Sequence, residues 1–128
     1  MASIKEEIKE YLAVEGLRPQ EEDFGLFFRY QMINFLIMWD EDDDHFLRMC
    51  VPSIFDIDDN NRIDVLTVCN KVNMERKVVK CIATDDNTVW VTSEQLLDQT
   101  PVYQDIIPRS IDMLLGARSG FYETLRNL

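Results

Sequence analysis

The sequence predicts an α+β domain in which an antiparallel sheet is flanked by helices, in the order α-β-β-β-α-β-β-α. Three observations carry this. Residues 24–31, 33–39 and 46–51, the last with an alternative end at Phe55, are consecutive segments rich in aromatic and β-branched side chains, separated by short polar breaks. Apolar residues at helical spacing precede that block, follow it, and run through the last quarter of the chain. Between the later helices, two further short strands at 77–84 and 88–92 flank Asp85-Asp86-Asn87, a good hairpin turn. With 128 residues the chain reads as a single domain, 1–128, long enough to bury a real core.

The first helix starts at Ser3. In Ser3-Ile4-Lys5-Glu6 the hydroxyl can accept from the third amide of the helix while Glu6 reaches back to the cap. Ile4, Ile8, Tyr11 and Leu12 share one face, Gly16 suits the position just past the end, and Pro19 stops continuation. Residues 18–23 read as a polar linker. The first strand alternates Phe24, Leu26, Phe28, Tyr30 and Met32 against Gly25, Phe27, Arg29 and Gln31, and a tight turn at 31–34 leads into the second. That second strand is apolar at all but Asn34, which predicts cover on both faces. Asp40-Glu41-Asp42-Asp43-Asp44 reads as a solvated hairpin loop without structural partners. Pro52 cannot donate to a ladder, so the third strand is an edge there or ends there.

Residues 56–61 form a polar turn in which Asp58, Asp59 or Asn60 can cap the second helix. Ile63, Leu66, Cys69, Asn70 and Val72 give that helix a stripe, and it ends near 73–75. Residues 93–100 read as a loop or single helical turn. The last helix follows residues 101–105, with Pro108 tolerated in its first turn. Ile107, Ile111, Leu114, Arg118, Phe121, Leu125 and Leu128 are spaced for one face, with Gly116 and Gly120 beside them to admit the sheet or another helix.

Thirteen Lys and Arg stand against 24 Asp and Glu, a net charge of −11. Phosphate backbones and anionic membranes repel such a chain, so neither nucleic acid nor membrane is an expected partner. The first residues lack a basic segment followed by an apolar one, and no apolar run approaches bilayer length. Cys50, Cys69 and Cys81 are an odd, widely spaced set without a C-x-x-C, as expected of buried free thiols in a reducing, cytoplasmic setting.

Catalytic machinery is not legible. His45 is the only histidine, no nucleophile elbow or phosphate loop occurs, and Cys69 sits in a helix stripe where burial should raise its pKa. The sequence therefore predicts a non-enzyme without cofactor. One segment, 56–67, has the spacing of an EF-hand loop, with oxygen donors Asp56, Asp58, Asn60 and Asp64 at loop positions one, three, five and nine. Asn61 replaces the usual Gly, and Thr67 replaces the closing bidentate Glu, so an ordinary strand-to-helix turn is the expectation and calcium the alternative.

The first helix ending at Gly16, the three-strand meander with its acidic turn at 40–44, Asn70-Lys71-Val72-Asn73 closing the middle helix, the Val78-Val79-Lys80 and Val89-Trp90-Val91 hairpin, and the long last helix together resemble a known pattern. The chain resembles the type III secretion chaperone-like fold and the YbjN-type proteins that share it, a family described in terms of sensory transduction. The resemblance covers essentially the whole chain. Its chaperone branch implies small acidic homodimers that hold an extended polypeptide on apolar surface.

Two function classes follow. One is a dimeric chaperone-like binding module with a protein or peptide client. The other is a regulatory domain of the same fold without a client, and a small-ligand sensor is a third reading. Three helices are few for a sheet apolar on both faces, so a homodimer is expected, with Phe35, Ile37, Ile63, Leu66 and Val72 as candidate interface residues.

Overall fold

The computed structural model describes residues 2–128. Its elements are α1 (Ile4–Val14), β1 (Gln20–Glu22), β2 (Gly25–Tyr30), β3 (Ile33–Met38), β4 (Phe46–Asp56), α2 (Arg62–Glu75), β5 (Val79–Ala83), β6 (Thr88–Leu96) and α3 (Tyr103–Arg126). The strands form one antiparallel sheet in the order β1-β2-β3-β4-β6-β5. The fold class is the expected one, with a fourth strand added ahead of the predicted meander.

That added strand lies in the segment read as a linker. Gln20, Glu21 and Glu22 are exposed and carry no alternation; they pair with Phe27, Leu26 and Gly25 through the backbone alone. At the same end of β2, Gly25 admits the close approach of β3 on the other side. Its φ is +151°, and a Cβ there would lie 2.0 Å from the Ile37 carbonyl oxygen.

The ends of α1 follow its sequence signals. Ser3 Oγ accepts from the Glu6 amide at 3.2 Å. Gly16, at φ +81°, lets its own amide reach the Ala13 carbonyl and that of Leu17 reach Leu12, the paired bonds of a Schellman ending. Between β2 and β3, Gln31 and Met32 both have positive φ, as a two-residue hairpin of matching twist requires.

Pro52 does not end β4, which runs on to Asp56, but it stands where the strand is an edge on its β3 side. The β4–β6 register is interrupted between Val51 and Phe55, with Ser53 at φ 51°, and pairing then resumes to Asp56. The irregularity absorbs the missing donor just where the β3 ladder has stopped at Cys50. Strand β6 likewise runs on to Leu96 through residues read as a loop, because β4 offers partners as far as Phe46.

All three helices pack on one face of the sheet. Leu26, Phe28, Phe35, Ile37, Leu47, Met49, Val51, Val79, Cys81, Val89 and Val91 point into a core shared with Ile8 and Leu12 of α1, Val65, Val68 and Val72 of α2, and Ile107, Leu114 and Phe121 of α3. Phe28 and Phe35 stack at 5.1 Å, and Phe55 meets Phe121 at 5.6 Å. Helix α1 lies beside α3, joined by the Tyr103 hydroxyl donating to Glu7 Oε1 at 2.9 Å. Strand β3 is therefore covered by its own chain on one face only.

Gly116 and Gly120 make room neither for the sheet nor for another helix's backbone. The side chain of Arg76, just past the end of α2, lies over them: a Cβ on Gly116 would be 3.0 Å from its Nη1, and one on Gly120 2.7 Å from its Nη2.

Candidate functional site: the open sheet face

The register defines what the helix-free face presents. Phe27, Leu36, Cys50, Thr92 and Lys80 form one cross-sheet row; Met38, Arg48 and Glu94 form a second, and Trp90 and Ile82 a third. Phe27, Leu36, Met38 and Trp90 are half-buried and Ile82 is 38% exposed, whereas Cys50 and Thr92 lie sealed beneath their neighbours. Met38, Cys50, Ile82, Trp90, Thr92, Arg48, Lys80 and Glu94 line a shallow depression to which no helix contributes.

A small charge cluster borders this apolar centre. Glu94 pairs with Lys80 and, at 3.4 Å, with Arg48, whose guanidinium also sits 5.3 Å from the Phe46 ring. The Lys80 hydrogen bond, reinforced by Arg48, holds the Glu94 carboxyl below its ordinary value against the opposing effect of burial. On the strands of this face Arg29, Arg48 and Lys80 stand against Glu22, Asp56 and Glu94. The face is thus balanced in charge on a chain whose net charge is −11.

Both edges of the sheet are guarded. At the β1 edge stand Glu21 and Glu22, with Lys9 bonded to Glu21 at 2.8 Å. At the β5 edge, the side-chain amide of Asn73 acts as a one-residue strand. Its Oδ1 accepts from the Cys81 amide at 2.6 Å, and its Nδ2 donates to the Cys81 carbonyl at 3.1 Å. Charge and capping are the usual devices against edge-to-edge pairing.

The sequence-predicted interface residues separate into two groups. Phe35, Ile37 and Val72 are buried in the core of the single chain and present nothing to a partner. Ile63 and Leu66 lie on the solvent side of α2, 81% and 47% exposed, in line with Met74. The helix is rotated from the predicted setting: Val65, Val68, Cys69 and Val72 face the core. Sequence reasoning missed the open-face set, Phe27, Leu36, Met38, Ile82 and Trp90. The alternation in β2 and β3 was the available signal, but it does not say which face the helices take.

The EF-hand-like segment is a hydrogen-bonded turn. Asp58 Oδ1 accepts from the amides of Asn60 and Asn61 at 2.8 and 2.9 Å. Asn61 Oδ1 accepts from the Asp58 amide, and its Nδ2 donates to the Asp56 carbonyl. The helix cap is Asn61, one residue beyond the expected Asp58, Asp59 or Asn60. Asp56, Asp58, Asn60 and Asp64 are thus strung along a cap in which Asp58 is committed to backbone amides. Among the described residues no group of three or more His, Cys, Asp or Glu is placed to hold a metal ion. The acidic loop at 40–44 is also more than solvated, since Asp40 accepts from the Asp42 amide and Asp43 from the His45 amide, each at 2.9 Å.

Comparison with known proteins fits this architecture. Residues 5–126 match the YbjN family, described as "Putative bacterial sensory transduction regulator". The chain belongs to the YbjN family. A crystal structure of YbjN from E. coli, described as "a putative transcription regulator", superposes with a TM-score of 0.67 at 12% identity, covering 88% of this chain and 86% of that one. An uncharacterized protein from Methanothermobacter thermautotrophicus superposes with a TM-score of 0.67 at 15% identity, over 97% of both chains. At such identities these likenesses show the shared fold alone. No curated protein matches the sequence. Among the described residues no helix of this YbjN-family chain is long and apolar enough to cross a membrane.

Proposed function

We propose that this YbjN-family chain is a regulator that acts by protein binding rather than by catalysis, as a cytoplasmic homodimer joined through its open sheet face. The observation that carries the reading is that face: an apolar centre of Leu36, Met38, Trp90 and Ile82 that no helix of the chain covers. An antiparallel sheet with one wet face normally shows polar residues there.

Electrostatics favour a second copy as the occupant. Two chains of −11 repel each other, and helix-side surfaces would bring the acidic excess together. The sheet face has no such excess, so packing it against itself turns the acids outward. A twofold contact also uses one patch twice. An extended client held by strand addition would meet guarded edges at both β1 and β5. The charge argues equally that regulation runs through proteins and not through direct contact with DNA.

The test is mass by light scattering on dilution, for wild type, Ile82→Lys and Leu66→Glu. The wild type should be dimeric, with an interface beyond roughly 1,000 Å² in total. Ile82→Lys should be a folded monomer, because it sets like charges across the axis. Leu66→Glu should remain a folded dimer. A wild type that is monomeric at tens of micromolar defeats the proposal, and a folded monomeric Leu66→Glu moves the interface to the exposed stripe of α2.

A further inference from the structure

On the helix side of the sheet, two thiols meet. Cys69 of α2 and Cys81 of β5 lie with their sulfurs 3.4 Å apart, and the Cys81 S–H donates to Cys69 Sγ. They are 12 residues apart in sequence and belong to different elements, so their meeting is a product of the fold. The placement of Cys81 is doubly fixed. Its neighbours Lys80 and Ile82 pair with Thr92 and Trp90 of β6, and the Asn73 amide grips its own backbone from the other side.

We propose that Cys69 and Cys81 form a peroxide-oxidisable dithiol that closes to an intrachain disulfide between α2 and β5.

The two sulfurs have distinct roles. Accepting the Cys81 hydrogen bond holds the Cys69 thiol below its ordinary pKa, outweighing the effect of burial. Cys81, the donor, is pushed upward. Of the two, Cys69 is therefore the readier to give up its proton, and a thiolate is what attacks peroxide. Its sulfur takes one oxygen of hydrogen peroxide as the O–O bond breaks. The departing hydroxide collects the proton lost by Cys69 and leaves as water. Cys81 Sγ then attacks Cys69 Sγ; the S–O bond breaks, and the hydroxyl leaves with the Cys81 proton as a second water. Two thiols and one peroxide give one disulfide and two waters, the sulfurs having lost two electrons to the peroxide oxygens.

The third cysteine is an internal control. Cys50 lies on the opposite face of the sheet, where its sulfur neighbour is Met38 Sδ at 3.9 Å and burial pushes its thiol up to about 12. It has no thiol to close with and stays reduced. The new bond would fasten the edge strand β5, which carries Lys80 and Ile82 on the open face, to the helix behind it. Oxidation therefore acts on the strand that borders the proposed contact surface.

The experiment treats the native full chain with hydrogen peroxide, quenches it, unfolds it in an alkylating agent and maps it by mass spectrometry. The expected product has lost two hydrogens, carries one alkyl group, at Cys50, and yields a linked Cys69–Cys81 peptide. Its melting temperature should rise by several degrees and return on reduction by a dithiol, because the bond closes a loop in the unfolded chain. Cys81→Ser should stop at the sulfenic acid of Cys69, trapped by dimedone. Three alkylated cysteines after treatment would overturn the proposal. So would a link that includes Cys50, or one that forms only after the protein has been unfolded.

Discussion

Replacing Asn73 with Ala removes the device that closes the β5 edge. Two bonds are lost, at 2.6 and 3.1 Å, both to the backbone of Cys81. Each is worth about 1 kcal/mol net, and the orphaned amide and carbonyl sit at a part-buried edge where water only partly replaces the partner. The expected loss is about 2 kcal/mol. For a chain of this size that lowers the melting temperature by roughly 8 °C and shifts the urea midpoint by about 1 M. Asn73→Asp should cost as much, since it keeps an acceptor for the amide but sets a negative oxygen against the carbonyl. Circular dichroism against urea gives the energy, and hydrogen exchange at the Cys81 amide gives the location. The variant should also aggregate more readily, with a bare strand edge exposed. A loss below about 0.5 kcal/mol, the size of an ordinary surface change, would refute the account of Asn73 as an edge cap.

Gly25→Ala should lose several kcal/mol or fail to fold, since the added carbon meets a backbone oxygen, whereas Gly120→Ala meets only the mobile end of Arg76 and should be neutral or gain up to about 1 kcal/mol of helix propensity; thermal melts of both variants check this. Because the folded pKa of Glu94 is depressed, its contribution to stability is present above the ordinary carboxylate value of 4.5 and is lost as pH falls below it through the folded value. Glu94→Gln should therefore flatten the acid limb of a stability–pH curve and leave its alkaline side unchanged. Millimolar calcium should leave the melting temperature within error of the control, while Asp58→Ala, which frees two amides at the start of α2, should lower stability by about 1 kcal/mol. Asp42→Asn with Asp43→Asn should change stability by less than about 0.5 kcal/mol, because an Asn oxygen can still accept from the His45 amide.

Period and punctuation made most of the fold legible. Ser3, Gly16 and the alternation from Leu26 to Tyr30 state their conformations locally, and the structure agrees with them. Elements whose existence depends on a neighbour were not legible. Residues 20–22 are a strand only because β2 offers backbone partners, and β6 reaches Leu96 only because β4 extends beside it. Helix α2 carries two interleaved apolar sets, Ile63, Leu66 and Met74 against Val65, Val68 and Val72, and periodicity alone does not rank them. The tertiary fold buries the valine set. The candidate site suffered from the same ambiguity, since a strand apolar on both sides does not reveal which side the helices take. The thiol pair was invisible for another reason: the segment between Cys69 and Cys81 contains a helix end and a bend whose geometry sets the distance.

Hydroxyl-radical footprinting across a dilution series tests the sheet-face dimer most directly, because the molecule carries its own probes. Met38 and Trp90 lie on the open face, and Met32 and Met74, 94% and 76% exposed, lie away from it. The account predicts that Met38 and Trp90 are protected at high protein concentration and become reactive as the dimer dissociates. Met32 and Met74 should react strongly throughout. Equal labelling of Met38 and Trp90 at every concentration, with a monomer mass to match, would contradict it.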